Sequence, residues 1–208
     1  MSKLIIIGAG GHGRVVADCA LATGEYQEIV FLDDCYPQRK SNAIWPIIGT
    51  INDFSQYLDK AFFIVAFGNN QLRQNIQTRL KIAQANIVSV VHPQAFVSEH
   101  AQIGSGVVIC ANATINIGAQ INDGCIINTG STIDHDCMIN DFVHISPNAT
   151  LAGGITVGEL SWLGINSTVI ECLTLADNTQ LGAGAVVISN TEKNSLYVGI
   201  PAKRIRPI

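Results

Sequence analysis

The sequence is poor in charge and has no long apolar run. Only 13% of its 208 residues are charged, and 12 basic against 16 acidic residues give a net charge of −4. A general nucleic-acid-binding protein is usually basic, so this balance argues against one. No apolar run reaches the roughly 18–20 residues that span a bilayer, and MSKLIIIGAGGHG lacks the pattern of a signal peptide. We therefore expect a cytoplasmic protein with neither membrane nor nucleic-acid partners.

Paired cysteines are also missing. The six cysteines form no C-x-x-C pair, which argues against a zinc knuckle or a thioredoxin motif. In a cytosolic protein the default is a reduced and mostly buried thiol. We therefore predict no structural metal and assign no nucleophilic cysteine.

Basic residues are absent from one long stretch of the chain. No Lys or Arg lies between His92 and Glu192, and basic residues return only in the tail, as Lys193, Lys203, Arg204 and Arg206. An anionic ligand of this region must therefore be bound by backbone N–H groups, by the tail or by a neighbouring chain.

Residues 1–91 alternate strand-like and helix-like segments. KLIIIG, EIVFLDD, AFFIVAFG and IVSVV are short apolar runs typical of buried strands, and GRVVADCALATG has helical spacing with a terminal glycine. This alternation predicts a parallel sheet covered by helices. We expect a small Rossmann-like α/β domain over residues 1–91.

Residues 92–208 follow a different period. Every sixth residue from Val97 to Val187 is Ile, Leu or Val, sixteen positions in all, and a mostly small residue lies two positions before nearly every one of them. This hexapeptide repeat is the signature of a parallel β-helix, in which three repeats form one coil of about eighteen residues. The aliphatic residue points inward and the small residue, such as Cys125 or Cys137, fills a corner.

The same period predicts which residues lie above one another. Residues eighteen apart occupy the same position on successive coils. His135 should therefore lie under Gly153, His144 under Trp162, and Ile165 under Ala183.

A glycine-rich signature opens the first domain. Gly8, Gly10 and Gly13 follow a strand and begin a helix in G-x-G-x-x-G order, and Asp33 and Asp34 end the second strand. Glycines allow close approach to a phosphate, and a helix N-terminus attracts it. The alternatives are a turn without a ligand or an NAD site. NAD is disfavoured because the α/β unit is only about half of a dinucleotide domain.

These motifs together resemble the bacterial nucleotide-sugar acetyltransferases. GAGGHG, FLDD, GNNQLR, IDHDC and the terminal GIPAK follow in the family's order over essentially the whole chain. The family includes UDP-4-amino-sugar N-acetyltransferases of the bacillosamine pathway and sialic acid O-acetyltransferases. The resemblance implies a left-handed β-helix, a homotrimer, acetyl-CoA as donor and a UDP-linked amino sugar as acceptor.

The resemblance also implies roles for individual residues. It implies that His135 is the general base, oriented by the carboxylate that follows it, Asp136. The residues implied in binding the nucleotide sugar are Gly10, Gly11, His12, Asp33, Asp34 and Gly68. Those implied near acetyl-CoA are His144, Gly153, Ile165 and Ala183.

Two assignments remain open within this scheme. The best-known members have Glu after the histidine, and the shorter Asp136 leaves Asp134 as an alternative partner of the ring. His144 could instead flank a subunit interface. The tail residues Lys203 and Arg204 are proposed, from charge, to meet the phosphates of coenzyme A.

Three rival functions remain to be tested. A zinc lyase on this scaffold would need three converging histidines, and only His100, His135 and His144 lie in the repeat region. A nucleotide-sugar sensor would use the β-helix only for assembly. Transfer of the acetyl group to a hydroxyl, rather than to an amine, would use the same base.

Overall fold

The computed structural model describes residues 2–208. The chain forms two compact units, of which the first ends at Pro93 and the second begins at Gln94. The boundary expected from the sequence lies close by, between residues 91 and 92.

The first unit is a six-stranded sheet with the order β3-β4-β2-β1-β5-β6. In this sheet order, the pairs β4-β2, β2-β1, β1-β5 and β5-β6 are parallel, and β3 pairs antiparallel to β4. The unit's elements are β1 (Lys3–Ile7), α1 (Gly11–Thr23), β2 (Glu28–Leu32), β3 (Ser41–Asn42), β4 (Trp45–Gly49), a 3₁₀ helix (Ile51–Tyr57), β5 (Phe62–Val65), α2 (Asn70–Ile82), β6 (Asn86–Ile87) and β7 (Val90–Val91).

Local sequence explains where these helices begin and end. Gly24 ends α1 in the left-handed conformation, at φ 71°, which glycine adopts without steric cost. Asn69 caps α2 by accepting a hydrogen bond from the backbone of Leu72. The β3–β4 hairpin and the 3₁₀ helix were not predicted. β3 is only two residues long, and a proline lies inside β4 (Trp45–Gly49), which weakens its strand pattern.

The second unit is built from two-residue strands separated by tight corners. Its strands are β8 (Phe96–Val97), β9 (Gln102–Ile103), β10 (Val108–Ile109), β11 (Thr114–Ile115), β12 (Gln120–Ile121), β13 (Ile126–Ile127), β14 (Thr132–Ile133), β15 (Met138–Ile139), β16 (His144–Ile145), β17 (Thr150–Leu151), β18 (Thr156–Val157), β19 (Trp162–Leu163), β20 (Thr168–Val169), β21 (Thr174–Leu175), β22 (Thr179–Leu181), β23 (Val186–Val187), β24 (Ser195–Val198) and β25 (Lys203–Pro207).

From β8 to β20, each strand pairs in parallel with the third strand after it. Thr114 pairs with Thr132, for example, and His144 with Trp162. The strands thereby form three sheets, one on each face of a triangular prism. The parallel β-helix predicted from the repeat is confirmed, and so is its register of eighteen residues.

The interior of the prism is a ladder of aliphatic side chains. Every rung from Ile109 to Val187 is buried, and the first two, Val97 and Ile103, are partly buried. The small residues before the rungs are also buried, including Cys125 and Cys137. Burial raises the pKa of the Cys137 thiol, which keeps it protonated and makes it a packing group.

A second six-residue pattern lies at the corners. The residue three positions before each rung has a positive φ, from Gly106 through Gly184. Glycine or asparagine occupies most of these positions, and either tolerates this conformation. The exceptions are Asp136, Phe142, Leu160 and Cys172.

Within residues 2–208, no helix has the length and apolar character needed to cross a bilayer.

We expect Ile121→Ala to lower the free energy of unfolding by about 2–5 kcal/mol, because it removes a buried rung and leaves a cavity. Urea unfolding at fixed protein concentration would measure this. The neighbouring Gln120 is exposed, so Gln120→Ala is the matched control and should change the free energy by less than about 1 kcal/mol. Equal effects of the two substitutions would contradict the ladder.

Candidate functional site

The glycine-rich turn leaves its backbone open to a ligand. Gly10 is the N-cap of α1, so the first N–H groups of the helix point outward beside it. A Cβ added at Gly10, Gly11 or Gly68 would meet no atom within 4 Å. Gly8 lies against the Phe67 ring. This contact brings the glycine-rich turn and the turn after β5, which contains Gly68, to one edge of the sheet.

The two acidic residues after β2 bind the backbone of their own chain. Asp33 accepts hydrogen bonds from the N–H groups of Ala9, at 2.7 Å, and Cys35, at 2.8 Å. Asp34 accepts one from Ile51 at 3.0 Å. Burial alone would raise the pKa of the Asp33 carboxyl, but the hydrogen bond with the Cys35 side chain, the two backbone hydrogen bonds and the charge of Arg39 together outweigh it and lower the pKa. Asp33 therefore shapes the turn as a carboxylate.

His12 lies in the turn close to a buried cation. Burial, followed by the positive charge of Arg73, lowers the pKa of His12 to about 4, so its ring is neutral at neutral pH. Arg73 is fully buried and donates to Phe67 O and Asn70 Oδ1, both at 2.8 Å. The positive charge of Arg73, on α2, thus lowers the pKa of a histidine in the glycine-rich segment.

Sequence reasoning missed Asn42, which supports the glycine-rich turn. Its buried amide donates to the carbonyls of Ala9, at 3.1 Å, and Gly10, at 3.0 Å. Its oxygen accepts from Arg14 Nε at 3.1 Å and from Arg39 Nη2 at 2.7 Å. No motif marks Asn42, because its partners lie far along the sequence.

His135 and Asp136 form a pair on an exposed corner of the prism. The ring Nδ1 lies 2.9 Å from Asp136 Oδ2. An ionised carboxylate only accepts hydrogen bonds, so the shared proton is on Nδ1. In the neutral ring, Nε2 then carries a lone pair. Such a ring can take a proton from a ligand.

Asp134 makes its hydrogen bonds to other groups than the His135 ring. Its Oδ1 accepts from the backbone N–H of His135 and from Asn116 Nδ2, both at 2.8 Å. The Asn116 bond and the His135 bond lower the pKa of the Asp134 carboxyl. Of the two candidate carboxylates, Asp136 contacts the ring and Asp134 holds the backbone.

These acids make the ring a stronger base. The hydrogen bond that Nδ1 donates to Asp136 raises the pKa of His135. Desolvation opposes it, and the charges of Asp134 and Asp136 add to the rise, so the pKa is raised overall. The His135 side chain is 57% exposed, so a ligand can reach it.

Gly153 lies directly over the ring, as the eighteen-residue register predicted. A Cβ added there would lie 2.5 Å from His135 Cε1 and closer still to Nε2. Only glycine therefore leaves the ring its present position.

A cavity of about 440 Å³ on the prism brings together three of the residues expected near acetyl-CoA. His144, Ile165 and Ala183 line it, together with Trp162. Trp162 stacks on His144 with ring centroids 5.4 Å apart and planes at 9°. The register had predicted this stacking, but not that Trp162 lines a cavity.

His144 is held in one tautomer. Asn128 Oδ1 accepts from the N–H of Thr129 at 2.9 Å, so its Nδ2 faces His144 Nε2 at 3.2 Å. Nε2 must then accept, and the neutral ring carries its proton on Nδ1. Among the residues the structure describes, those lining this cavity include neither His135 nor Gly153.

Lys203 and Arg204 lie on the exposed strand β25. Arg204 Nε lies 2.8 Å from Ser195 Oγ and 3.5 Å from Glu192 Oε2. The structure does not bring these two cations into the lining of the His144 cavity. In residues 2–208, no three His, Cys, Asp or Glu side chains cluster as a metal site would require.

Two sequence comparisons bear on this arrangement. The family model for the PglD N-terminal domain matches residues 3–80. UDP-N-acetylbacillosamine N-acetyltransferase of Bacillus subtilis is 34% identical over 114 residues, which cover 53% of this chain and 52% of that protein. The chain thus spans about half the length of this curated relative.

Solved structures match nearly the whole chain. The acetyltransferase domain of PglB from Neisseria gonorrhoeae is 40% identical with a TM-score of 0.95, covering 99% of this chain and 100% of that one. A second structure of that domain is a complex with acetyl coenzyme A. PerB from Caulobacter crescentus, in complex with CoA and GDP-perosamine, is 33% identical with a TM-score of 0.91, covering 99% and 98%.

The family predicted from the sequence is confirmed by this agreement in fold and in sequence. The chain belongs to the bacterial family of nucleotide-sugar N-acetyltransferases.

Proposed function

We propose that the protein transfers the acetyl group of acetyl-CoA to the 4-amino group of a UDP-linked amino-deoxy sugar, of the UDP-N-acetylbacillosamine type. The observation that carries this proposal is the exposed His135 ring, whose Nδ1 is bound by Asp136 and whose Nε2 is open. The relatives named above act on UDP- and GDP-linked sugars, and the nucleotide is proposed from the first of these.

The proposed reaction forms a C–N bond and breaks a C–S bond. As the amine nitrogen attacks the thioester carbonyl, Nε2 of His135 takes its proton. Asp136 stabilises the imidazolium and fixes its tautomer. A backbone N–H at Gly153 stabilises the oxyanion. The intermediate collapses with loss of the coenzyme A thiolate, and the His135 imidazolium returns its proton to this thiolate.

The acceptor's diphosphate is proposed to lie over Gly10 and Gly11, where N–H groups and the positive end of α1 face open space. Gly68 forms the opposite wall. His12 contributes a neutral ring, because its pKa is lowered. Asp33 and Asp34 support this site through the backbone that they hold.

The donor is proposed to use the cavity of His144, Ile165 and Ala183. Apolar side chains line it beside Trp162, which suits the pantetheine arm of acetyl-CoA. Lys203 and Arg204 are proposed to meet the phosphates of the coenzyme, since the β-helix coils carry no cation.

We propose a homotrimer, which is supported by where the two halves of the proposed site lie. His135 and Ala183 are 48 residues apart, which is two coils of eighteen and a further twelve residues, so they occupy different corners of the prism. One chain cannot turn both towards the same ligand. A neighbouring prism in a cyclic trimer would supply the second half.

We expect His135→Ala to lower kcat by about 10²- to 10⁴-fold, because the amine then loses its general base. Release of coenzyme A thiol with a UDP-linked 4-amino sugar measures this. His100 is an exposed histidine of the same unit, and His100→Ala should leave kcat unchanged. Unchanged rates in His135→Ala would support the sensor alternative. A parallel panel of sialic acids separates N- from O-acetylation.

Asp136→Asn should lower the pKa of His135, because it removes the hydrogen bond and charge that raise it. NMR titration of the ring Cε1–H gives the pKa directly. The acid limb of the pH–rate profile should move to lower pH as well, since the base stays unprotonated further into acid. Glu159 is exposed, and Glu159→Gln should move neither. A His135 pKa that stays raised in Asp136→Asn would exclude Asp136 as the orienting group.

Mixing two inactive variants tests the shared site. His135→Ala removes the base, and Ala183→Trp fills the donor cavity, so each alone should be inactive. Random trimers of the two, formed by co-expression, should recover about a quarter of the wild-type activity, because each site draws on two chains. No recovery would mean that both halves act within one chain, as would an active monomer in sedimentation.

A further inference from the structure

The Asp136 side chain lies over the preceding coil and accepts a hydrogen bond from Nδ1 of His135. It has a φ of 59°, and its backbone N–H donates to Ile117 O at 3.1 Å. The residue below it, eighteen positions earlier, is Gly118. Its carboxylate therefore lies on top of a position that has no side chain.

The space above Gly118 is filled by that carboxylate. A Cβ added at Gly118 would collide with Asp136 Oδ1 and lie 3.4 Å from Cγ. The other oxygen, Oδ2, binds His135 Nδ1 at 2.9 Å. Because the carboxylate is planar and rigid, a push on Oδ1 must also move Oδ2.

Little else fixes this carboxylate. The Asp136 side chain is 73% exposed, and among residues 2–208 its one hydrogen bond is to His135. Its position is therefore set by the ring on one side and by the free space over Gly118 on the other.

We propose that Gly118 is a positioning residue for acetyl transfer: its missing side chain lets Asp136 fold back and hold Nδ1 of His135. This inference rests on the proposed function for its kinetic readout. Gly118 also has a positive φ, of 75°, so any L-residue there is strained as well. The test has to separate the two effects.

The chain offers a matched control. Gly130 has a φ of 67°, and a Cβ there would collide with Asn148 Oδ1 in the same way, away from His135. Gly118→Ala and Gly130→Ala should lower the melting temperature alike. Only Gly118→Ala should lower kcat, by about 10- to 100-fold, with little change in the KM of either substrate, and lower the pKa of His135 in an NMR titration.

A double-mutant cycle identifies the route. If Gly118 acts through Asp136, Gly118→Ala should have no further effect on kcat in an Asp136→Ala background. An undiminished effect there, or an equal loss of kcat in Gly130→Ala, would overturn the proposal. If Gly118→Ala fails to fold, Gly118→Asn keeps the Cβ with less backbone strain, since Asn already occupies equivalent positions such as 112 and 148.

The NMR titration needs no turnover. An inactive wild-type protein would therefore refute the proposed function and leave this inference to be decided by the pKa alone. A His135 pKa unchanged by Gly118→Ala would reject it even in an active enzyme.

Discussion

Burial of one aliphatic side chain every six residues is the constraint on which the rest of the second unit depends. Each rung removes apolar surface from water at about 25 cal/mol per Å², and the ladder fixes the length of every coil. A coil of fixed length fixes the register between strands, because a slip by one residue would turn the rungs outward. The contacts of His135 with Gly153 and of His144 with Trp162 follow from this register.

The proposed base lies at a corner of the prism, whereas the backbone of the faces is committed to strand pairing. At a corner the backbone turns through a residue in the left-handed conformation. This conformation costs most L-residues roughly 1–2 kcal/mol, and Gly, Asn and Asp adopt it more readily. Asp136 takes this conformation directly after His135, and that brings its carboxylate against the ring of its own neighbour. The ring of His135 and the carboxylate that holds it are thus adjacent in sequence and also in space.

The sequence predicted much of this arrangement, since the information is periodic and local. The sixteen aliphatic positions were enough to give the β-helix, its register, the contact of His135 with Gly153 and the stack of His144 on Trp162. The left-handed positions have the same period, and Gly or Asn three residues before each rung is a signal that sequence reasoning overlooked.

Other features could not be predicted, because their partners are distant and aperiodic. Asn42 supports a turn about thirty residues before it, from a two-residue strand without a pattern. Asp33 and Asp34 match a motif for ligand contact, yet their hydrogen bonds go to backbone N–H groups. Residue type alone does not distinguish a carboxylate that meets a ligand from one that shapes the turn around it.

The eighteen-residue coil also sets the distances between corner residues along the axis of the prism. Adding or deleting a whole coil would change the distance between two corner residues along the axis by about 4.8 Å and leave their orientation unchanged. Adding six residues would instead rotate everything beyond the insertion by one corner. Length changes in such a protein are therefore expected in whole coils, and the separation of His135 from the cavity at His144 can change only in steps.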